Sequence, residues 1–498
     1  MPFVPLDIPP GVVRNGTQFQ IGTAGRWFDA NLVRWSAGVM APVGGWNRRD
    51  ADSVAGARRD LYAWRDNVAN QRLAIGSNEG LFVATGGTTV VDVTPTGFVA
   101  GRVDAVLGLG YGFGPYGAVS YGTVRPDPGG AFFDAAGWQL DNWGENLIAM
   151  APHDGRIVEW ALDPNTSAQV ITNAPVDNLG VFVTPERHLV ALGAGGDSRR
   201  VAWSSREDNT LWTPAQTNTA GGFNLQTNGS IQAAINVRGQ TLILTTEDVH
   251  VMNFVGSPFV YGRERVSNAG GTGSPRSLIG FRGGAAWFAE DGFYLFDGSV
   301  RKLPSEVEDF VLSDLNELQF SKVVGGDNKE FSELWWFYPQ SGFSEPNRYV
   351  VWNYRDNHWT IGSLERTAFQ TPGVFDKPIL AATDGFVYDH EVEFTANGAT
   401  IGSQRFAESG AIDLGNGDRV MLATKLIPDE KTQGETQAVF KTRFVPNGPE
   451  ETHGPFTLTD YTDVRFTGRQ AALRIEGVAD TNWRVGIPRL EAKEGGLR

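Results

Sequence analysis

The chain has 498 residues, a net charge of −15, 41 % apolar residues, 15 Trp, 30 Phe and no Cys. This supports a packed core spread over several domains or one large repeat array, and argues against global disorder. It excludes disulfides and thiolate metal sites, and it disfavours non-specific grip on nucleic acid, which needs a cationic surface.

The first ten residues, with four prolines, carry no basic start followed by an apolar stretch, so they do not read as a secretory signal. No apolar run anywhere reaches the roughly 18–20 residues of a membrane span. Residues 1–50 read as an extended arm. Trp27, Trp35 and Trp46 sit on it in a Gly-rich, otherwise polar context. Such an arm buries its Trp residues only against something else, either its own body or a neighbouring subunit. The second option makes these three the candidate inter-subunit anchors, with the propeller folding without residues 1–50.

A hairpin signature then recurs. Two apolar runs flank a turn carrying Glu79-Gly80, Asp154-Gly155, Gly196-Asp197, Glu247-Asp248, Asp291-Gly292 or Asp384-Gly385. Asp-Gly between apolar runs is a strong hairpin signal, because glycine accepts the positive φ of a tight turn. Trp287–Gly298 is the clearest copy. Successive turn acids fall 43 or 51 residues apart between Asp154 and Asp291. A further unit, Leu334–Tyr338 with Tyr349–Tyr354, fills the long gap before Asp384. An insertion of about 108–137 explains the long gap after Glu79. Strand-rich units at this period predict a β-propeller of four-stranded blades. The fold class is therefore all-β: about six or seven blades over 51–394, an extended N-terminal arm at 1–50, and a smaller C-terminal β-domain, sandwich-like, at 395–498.

Three segments depart from the repeat. The insertion is Gly/Tyr-rich with little charge, and Tyr111, Phe113, Tyr116 and Tyr121 form a candidate projecting loop. Pro304–Glu333 holds eight acidic residues against Lys322 and Lys329. Within it, Ser305–Asn316 reads as a helix with Ser305 as N-cap and Glu308 three residues on. The C-terminal domain is nearly charge-balanced, so the acidic excess lies before residue 400.

No catalytic constellation stands out. None of the six His belongs to a zinc-protease pattern, no nucleophile elbow is present, and neither of the Gly-rich loops Gly193–Ser198 and Gly270–Ser274 ends in Gly-Lys-Ser/Thr. The expectation is no enzyme, no cofactor and no metal. Ser204–Trp212 is similar to the structural turn box of sialidase-type propellers, with its acidic residue one position off and Asn209 in place of glycine.

Several stretches carry a wider resemblance: Gly25-Arg26-Trp27-Phe28 through Trp35, Gly44-Gly45-Trp46, the Gly-Tyr-Gly loop at 110–117, Trp203-Ser204-Ser205 with Leu211–Pro214, and the closing Gly468-Arg469 with Asp480–Leu490. Together they resemble the nozzle proteins of short-tailed phages, also called tail tubular protein B or packaged-DNA stabilisation proteins. That resemblance implies a structural virion protein of the phage tail, made in the host cytoplasm. It implies a homo-oligomer, a hexameric ring, beneath portal and adaptor, touching other tail proteins. Its channel conducts and retains double-stranded DNA through transient, non-specific contact until ejection. In that setting Glu306, Glu308 and Asp309 are candidate lumen or gate residues. The alternative is a receptor- or glycan-binding propeller on a virion or cell surface, with the aromatic loop stacking on sugars.

Overall fold

The computed structural model describes residues 3–49, 53–85, 89–108, 132–413 and 419–494. Seven four-stranded antiparallel sheets follow one another along the chain. Their innermost strands are Arg58–Arg65, Gln139–Trp143, Gly180–Val183, Ile231–Val237, Ile279–Phe281, Val324–Asn328 and Ala368–Gln370. Each touches the next, and the seventh touches the first, so the sheets form a closed seven-bladed propeller. We number the blades 1 to 7 in this order.

All the hairpins legible in the sequence are the second and third strands of a blade. These strands lie between neighbouring blades and are covered on both faces, so they read as unbroken apolar runs rather than as alternation. In blade 5, Gly284–Ala289 and Gly292–Phe296 are buried at every position. Ala289 pairs with Gly292 across a two-residue Glu290-Asp291 turn. Gly292 has φ +133°, and a Cβ there would lie 2.3 Å from a Glu308 carboxylate oxygen. Conformation and space both demand glycine.

Blade 7 is completed from the other end of the repeat. Its fourth strand is Trp46–Arg48, which pairs with Val387–His390. The segment before it is not an extended arm. It contains a short helix, Gln18–Thr23, and strands Phe3–Pro5, Trp27–Asn31, Val33–Ser36 and Val39–Pro42. Phe3–Pro5 pairs with Arg489–Glu494, and Trp27–Asn31 with Phe406–Ser409. Both partner strands belong to a C-terminal sandwich. One of its sheets is ordered Phe3–Pro5, Arg489–Glu494, Met421–Ile427, Thr462–Gly468. The other runs Trp27–Asn31, Phe406–Ser409, Gln470–Gly477, Thr436–Arg443, Glu451–Thr457. The predicted helix is shorter than its sequence pattern, spanning Glu308–Asp314 after Val307. Ser305 does not cap it; its hydroxyl accepts from the Val307 amide at 3.2 Å.

One continuous core joins the two domains. It includes Phe293 of blade 5, Trp336 and Trp359 of blade 6, Val307 and Val311, Trp27, Trp35 and Met40, and Phe440 and Trp483 of the sandwich. Trp27 and Trp35 are 4 % and 2 % exposed, with ring centroids 5.8 Å apart. Trp46 stacks on His390 at 5.4 Å. These three Trp residues therefore pack against other parts of their own chain.

Beside this core lies a buried charge cluster. Arg34 donates to both carboxylate oxygens of Glu333 at 3.0 Å. It also donates to both oxygens of Glu391, at 3.0 Å from Nη1 and in a second contact from Nη2. Its guanidinium lies 3.5 Å from the Phe331 ring centroid. Burial alone would lower the Arg34 pKa, but Glu333 and Glu391 outweigh it and hold it above the ordinary value. Glu333 starts the second strand of blade 6, and Glu391 follows the third strand of blade 7.

Replacing Arg34→Met leaves two buried carboxylates facing each other. The expected loss of stability is about 3–5 kcal/mol, read as a lower urea midpoint at unchanged m-value. Removing residues 1–50 deletes the closing strand of blade 7 and two sandwich strands. The shortened chain is expected to lose cooperative unfolding and its near-UV circular dichroism; native spectra from it would disprove closure by Trp46–Arg48.

Candidate functional site

Two concavities stand out. The first is the axial channel of the propeller, a cavity of about 440 Å³ lined from all seven blades. Innermost strands have one unpaired edge, and here polar side chains cover it. Gln139 Oε1 accepts from the Val181 amide at 3.1 Å, and Asp141 Oδ2 from the Val183 amide at 2.7 Å. Gln370 Oε1 accepts from the Ala63 amide at 3.0 Å, and Asn236 donates to the Val183 carbonyl at 3.0 Å. Each bond stitches one blade to another.

One end of the channel is bridged. Ala105 lies in the connection between blades 1 and 2, and Gln319 in that between blades 5 and 6. These connections lie across the ring from each other, so a contact between them spans the axis. The Ala105 amide donates to Gln319 Oε1 at 2.9 Å, and Gln319 Nε2 donates to the Ala105 carbonyl at 2.8 Å. The fully buried Lys322 pairs with Asp104 and with Glu345, the latter at 3.1 Å. Arg59 donates to Glu345 at 2.7 Å and to the Val103 carbonyl at 2.8 Å.

Under this bridge Asp60 of blade 1 and Arg276, just before blade 5, face the cavity. Asp60 Oδ1 accepts from the Leu61 amide at 2.9 Å. Arg276 Nη2 donates to the Ser321 carbonyl at 2.6 Å, while its buried Nε has no partner. The two residues form no ion pair within 4.0 Å of each other. Burial pushes the Asp60 carboxyl up to about 7, and burial pulls the Arg276 guanidinium down to about 10. Gly137 makes room for Arg276, since a Cβ there would lie 2.3 Å from Nη1. Further along, Tyr62 donates from its hydroxyl toward Asp141 at 3.0 Å and Asn142 at 2.5 Å.

The second concavity, about 670 Å³, lies outside the ring where the N-terminal segment meets blades 5 and 6. Pro10, Arg26, Glu306, Asp356, His358 and Trp359 line it. Arg26 clamps Glu306 through both nitrogens, at 3.2 and 2.9 Å. Burial lowers the His358 pKa, and its buried Nδ1 has no partner.

The acidic candidates belong to this region and not to the propeller's axis. Glu306 lines the outer cleft, Glu308 pairs with Lys302 at 2.8 Å, and the Asp309 amide donates to Asn15 at 3.1 Å. Thus two groups that the sequence kept apart, the Trp-bearing segment and the acidic segment, meet through Arg26 and Asn15. Tyr111, Phe113, Tyr116 and Tyr121 lie outside the described residues. Ser204–Trp212 is a turn, closed by Ser205 N to Leu211 O at 2.7 Å and Trp212 Nε1 to Asn209 O at 2.7 Å. Sequence reasoning missed Asp60 and Arg276. A lone acid in Arg58-Arg59-Asp60-Leu61-Tyr62 reads as a surface position, and only ring closure turns it inward. Among the described residues no three His, Asp or Glu side chains group as metal ligands, and no helix is long and apolar enough to cross a membrane.

No protein-family model and no curated protein matches the chain. Solved structures that are similar include the Pan2 WD40 domain of Neurospora crassa, 8 % identical over 71 % of this chain and 95 % of that one, TM-score 0.42. YCF48 from Cyanidioschyzon merolae is 8 % identical over 70 % and 98 %, TM-score 0.39. The chain spans only 40 % of another match, an extracellular domain from B. thetaiotaomicron, 12 % identical over 66 % of this chain, TM-score 0.31. The propeller assignment stands on the seven closed sheets themselves.

Asp60 gives the channel a measurable pH dependence. Its folded pKa, about 7, lies above the ordinary 3.8. Between those values the folded state holds a proton that the unfolded state has released, so stability falls as pH rises through this window. The contribution is fully present below pH 3.8 and lost above about 7. Asp60→Asn is expected to remove this slope, at most about 1.4 kcal/mol per pH unit, from urea-denaturation data.

Proposed function

We propose that the chain is a structural subunit of a phage tail, forming with other copies the distal ring, or nozzle, that conducts and retains packaged DNA. The observation that carries this reading is the convergence of the two ends of the sequence that bear the resemblance. Met40 and Val485 exchange both backbone hydrogen bonds at 3.0 Å. Trp27, Trp35 and Trp483 share one core with blades 5 and 6. The N-terminal and closing stretches of that resemblance thus weld propeller and sandwich into one body. A ring that holds DNA under pressure needs such a rigid subunit.

The propeller's own channel is not the DNA path in this proposal. It is bridged by Gln319 and Ala105, which closes one end to through passage of a duplex. The conduit runs between subunits, around the symmetry axis of a hexamer seated under portal and adaptor. An acidic surface there repels phosphates and avoids the counterion release that would hold DNA in place. Of the three gate candidates, Glu306 and Glu308 are paired with Arg26 and Lys302, which reduces the charge they present.

Mass measurement and negative-stain imaging of the purified chain with portal and adaptor test this reading. The expected result is a ring of about six copies, the symmetric closed assembly usual for homo-oligomers. A chain that stays monomeric under conditions where portal and adaptor assemble would sink it.

A further inference from the structure

We infer that the axial channel of the propeller is a binding site for a small neutral polyhydroxylated ligand, a mono- or disaccharide, with Asp60 and Arg276 as its polar floor. The site is separate from any role in a ring, and its test does not depend on one.

At about 440 Å³ the cavity falls within the roughly 300–1,000 Å³ of small-molecule sites. It is blind. The Gln319–Ala105 bridge and the Lys322–Glu345–Arg59 cluster close one end. At the other end Asn236 is exposed, so a ligand enters from that side.

The chemistry of the floor selects the ligand. Asp60 Oδ1 is engaged by Leu61, and no hydrogen bond from the described residues engages Oδ2. Arg276 lines the same floor, and its Nη2 donates to the Ser321 carbonyl at 2.6 Å. The two groups do not touch; a cation would be repelled by Arg276, and an anion by Asp60 whenever that carboxyl is ionised. A neutral group with an adjacent donor and acceptor fits both: one hydroxyl donates to Asp60 and its neighbour accepts from Arg276. A vicinal diol has that pattern.

The walls favour several hydroxyls over a ligand polar at one end only. Tyr62, Gln139, Asp141, Asn236, Gln370 and Thr371 come from different blades and levels of the channel. Each already holds a structural bond that fixes its rotamer, yet hydroxyl and amide groups retain further capacity. Apolar surface from Phe182, Ile235, Ile279 and Phe369 lies between them, matching the apolar faces of a sugar ring.

The experiment is isothermal titration and saturation-transfer NMR of the full chain with glucose, galactose, N-acetylglucosamine, maltose and lactose. At least one is expected to bind one-to-one. Its affinity is expected to fall about tenfold or more in Arg276→Met and in Asp60→Asn, in keeping with loss of a charged hydrogen bond. If Arg276→Met does not fold, Asp60→Asn and Tyr62→Phe carry the test, with thermal unfolding confirming their integrity. No binding by any of the five sugars overturns the inference. So does binding that folded floor variants leave unchanged but that disappears when residues 109–131 are removed, which would place the sugar on the Gly/Tyr insertion. Ring assembly is measured separately, so failure of either reading is recognised independently of the other.

Discussion

Arg34 is gripped by carboxylates from two different blades while its own backbone belongs to a strand near the start of the chain. A buried charge cluster of this kind adds little net stability over a well-packed apolar substitute, because desolvation consumes most of the Coulombic gain. Its effect is on position. Glu333 also accepts from Trp335 and Glu391 from Asn328, so blade 6 holds both carboxylates in place, and the Arg34 fork meets them together in one register of Val33–Ser36. That placement carries the chain to Gly44, whose amide donates to Glu391 at 2.9 Å, and then to Trp46–Arg48 in blade 7. Closure of the ring, and with it the existence of an axial channel, depends on this alignment.

The closed ring then dictates where polar residues stand. Inner strands have an open edge facing a space too narrow for bulk solvent, so side-chain amides and carboxylates supply the missing partners. Gln139, Asp141 and Gln370 act this way, and their burial is structural in origin. Asp60 differs, since among the described residues its carboxylate bonds only the amide of its own neighbour Leu61, while Arg276 gives one nitrogen to the Ser321 carbonyl. The same geometry separates two ideas of a channel. The propeller axis is bridged and suits a small molecule, whereas passage of a duplex calls for an axis shared between subunits.

Much of the propeller was legible because its central hairpins are buried on both faces. Continuous apolar runs and an acidic or glycine turn, as in Trp287–Gly298, are local consequences of that burial. The outer and inner strands were less legible. Gln169–Val170 is only two residues, and Trp46–Arg48 is contributed from more than three hundred residues away in sequence. The helix was overestimated because Ser305 bonds its own neighbour two residues on, and helical geometry begins only at Glu308. Segment 1–50 looked like a loose arm because its strands are short and each pairs with a distant partner.

Sequence by itself determined the class of fold and the period of its unit, since turn chemistry and apolar patterning are fixed by neighbours along the chain. It also determined the acidic balance and the absence of disulfides. The tertiary structure alone decided that there are seven blades, because the last is built from both ends of the repeat. It showed that Trp27, Trp35 and Trp46 pack within their own chain, since only the docked strands show what lies against them. It decided that Asp60 and Arg276 share a cavity, because residues more than two hundred positions apart meet only when a ring closes.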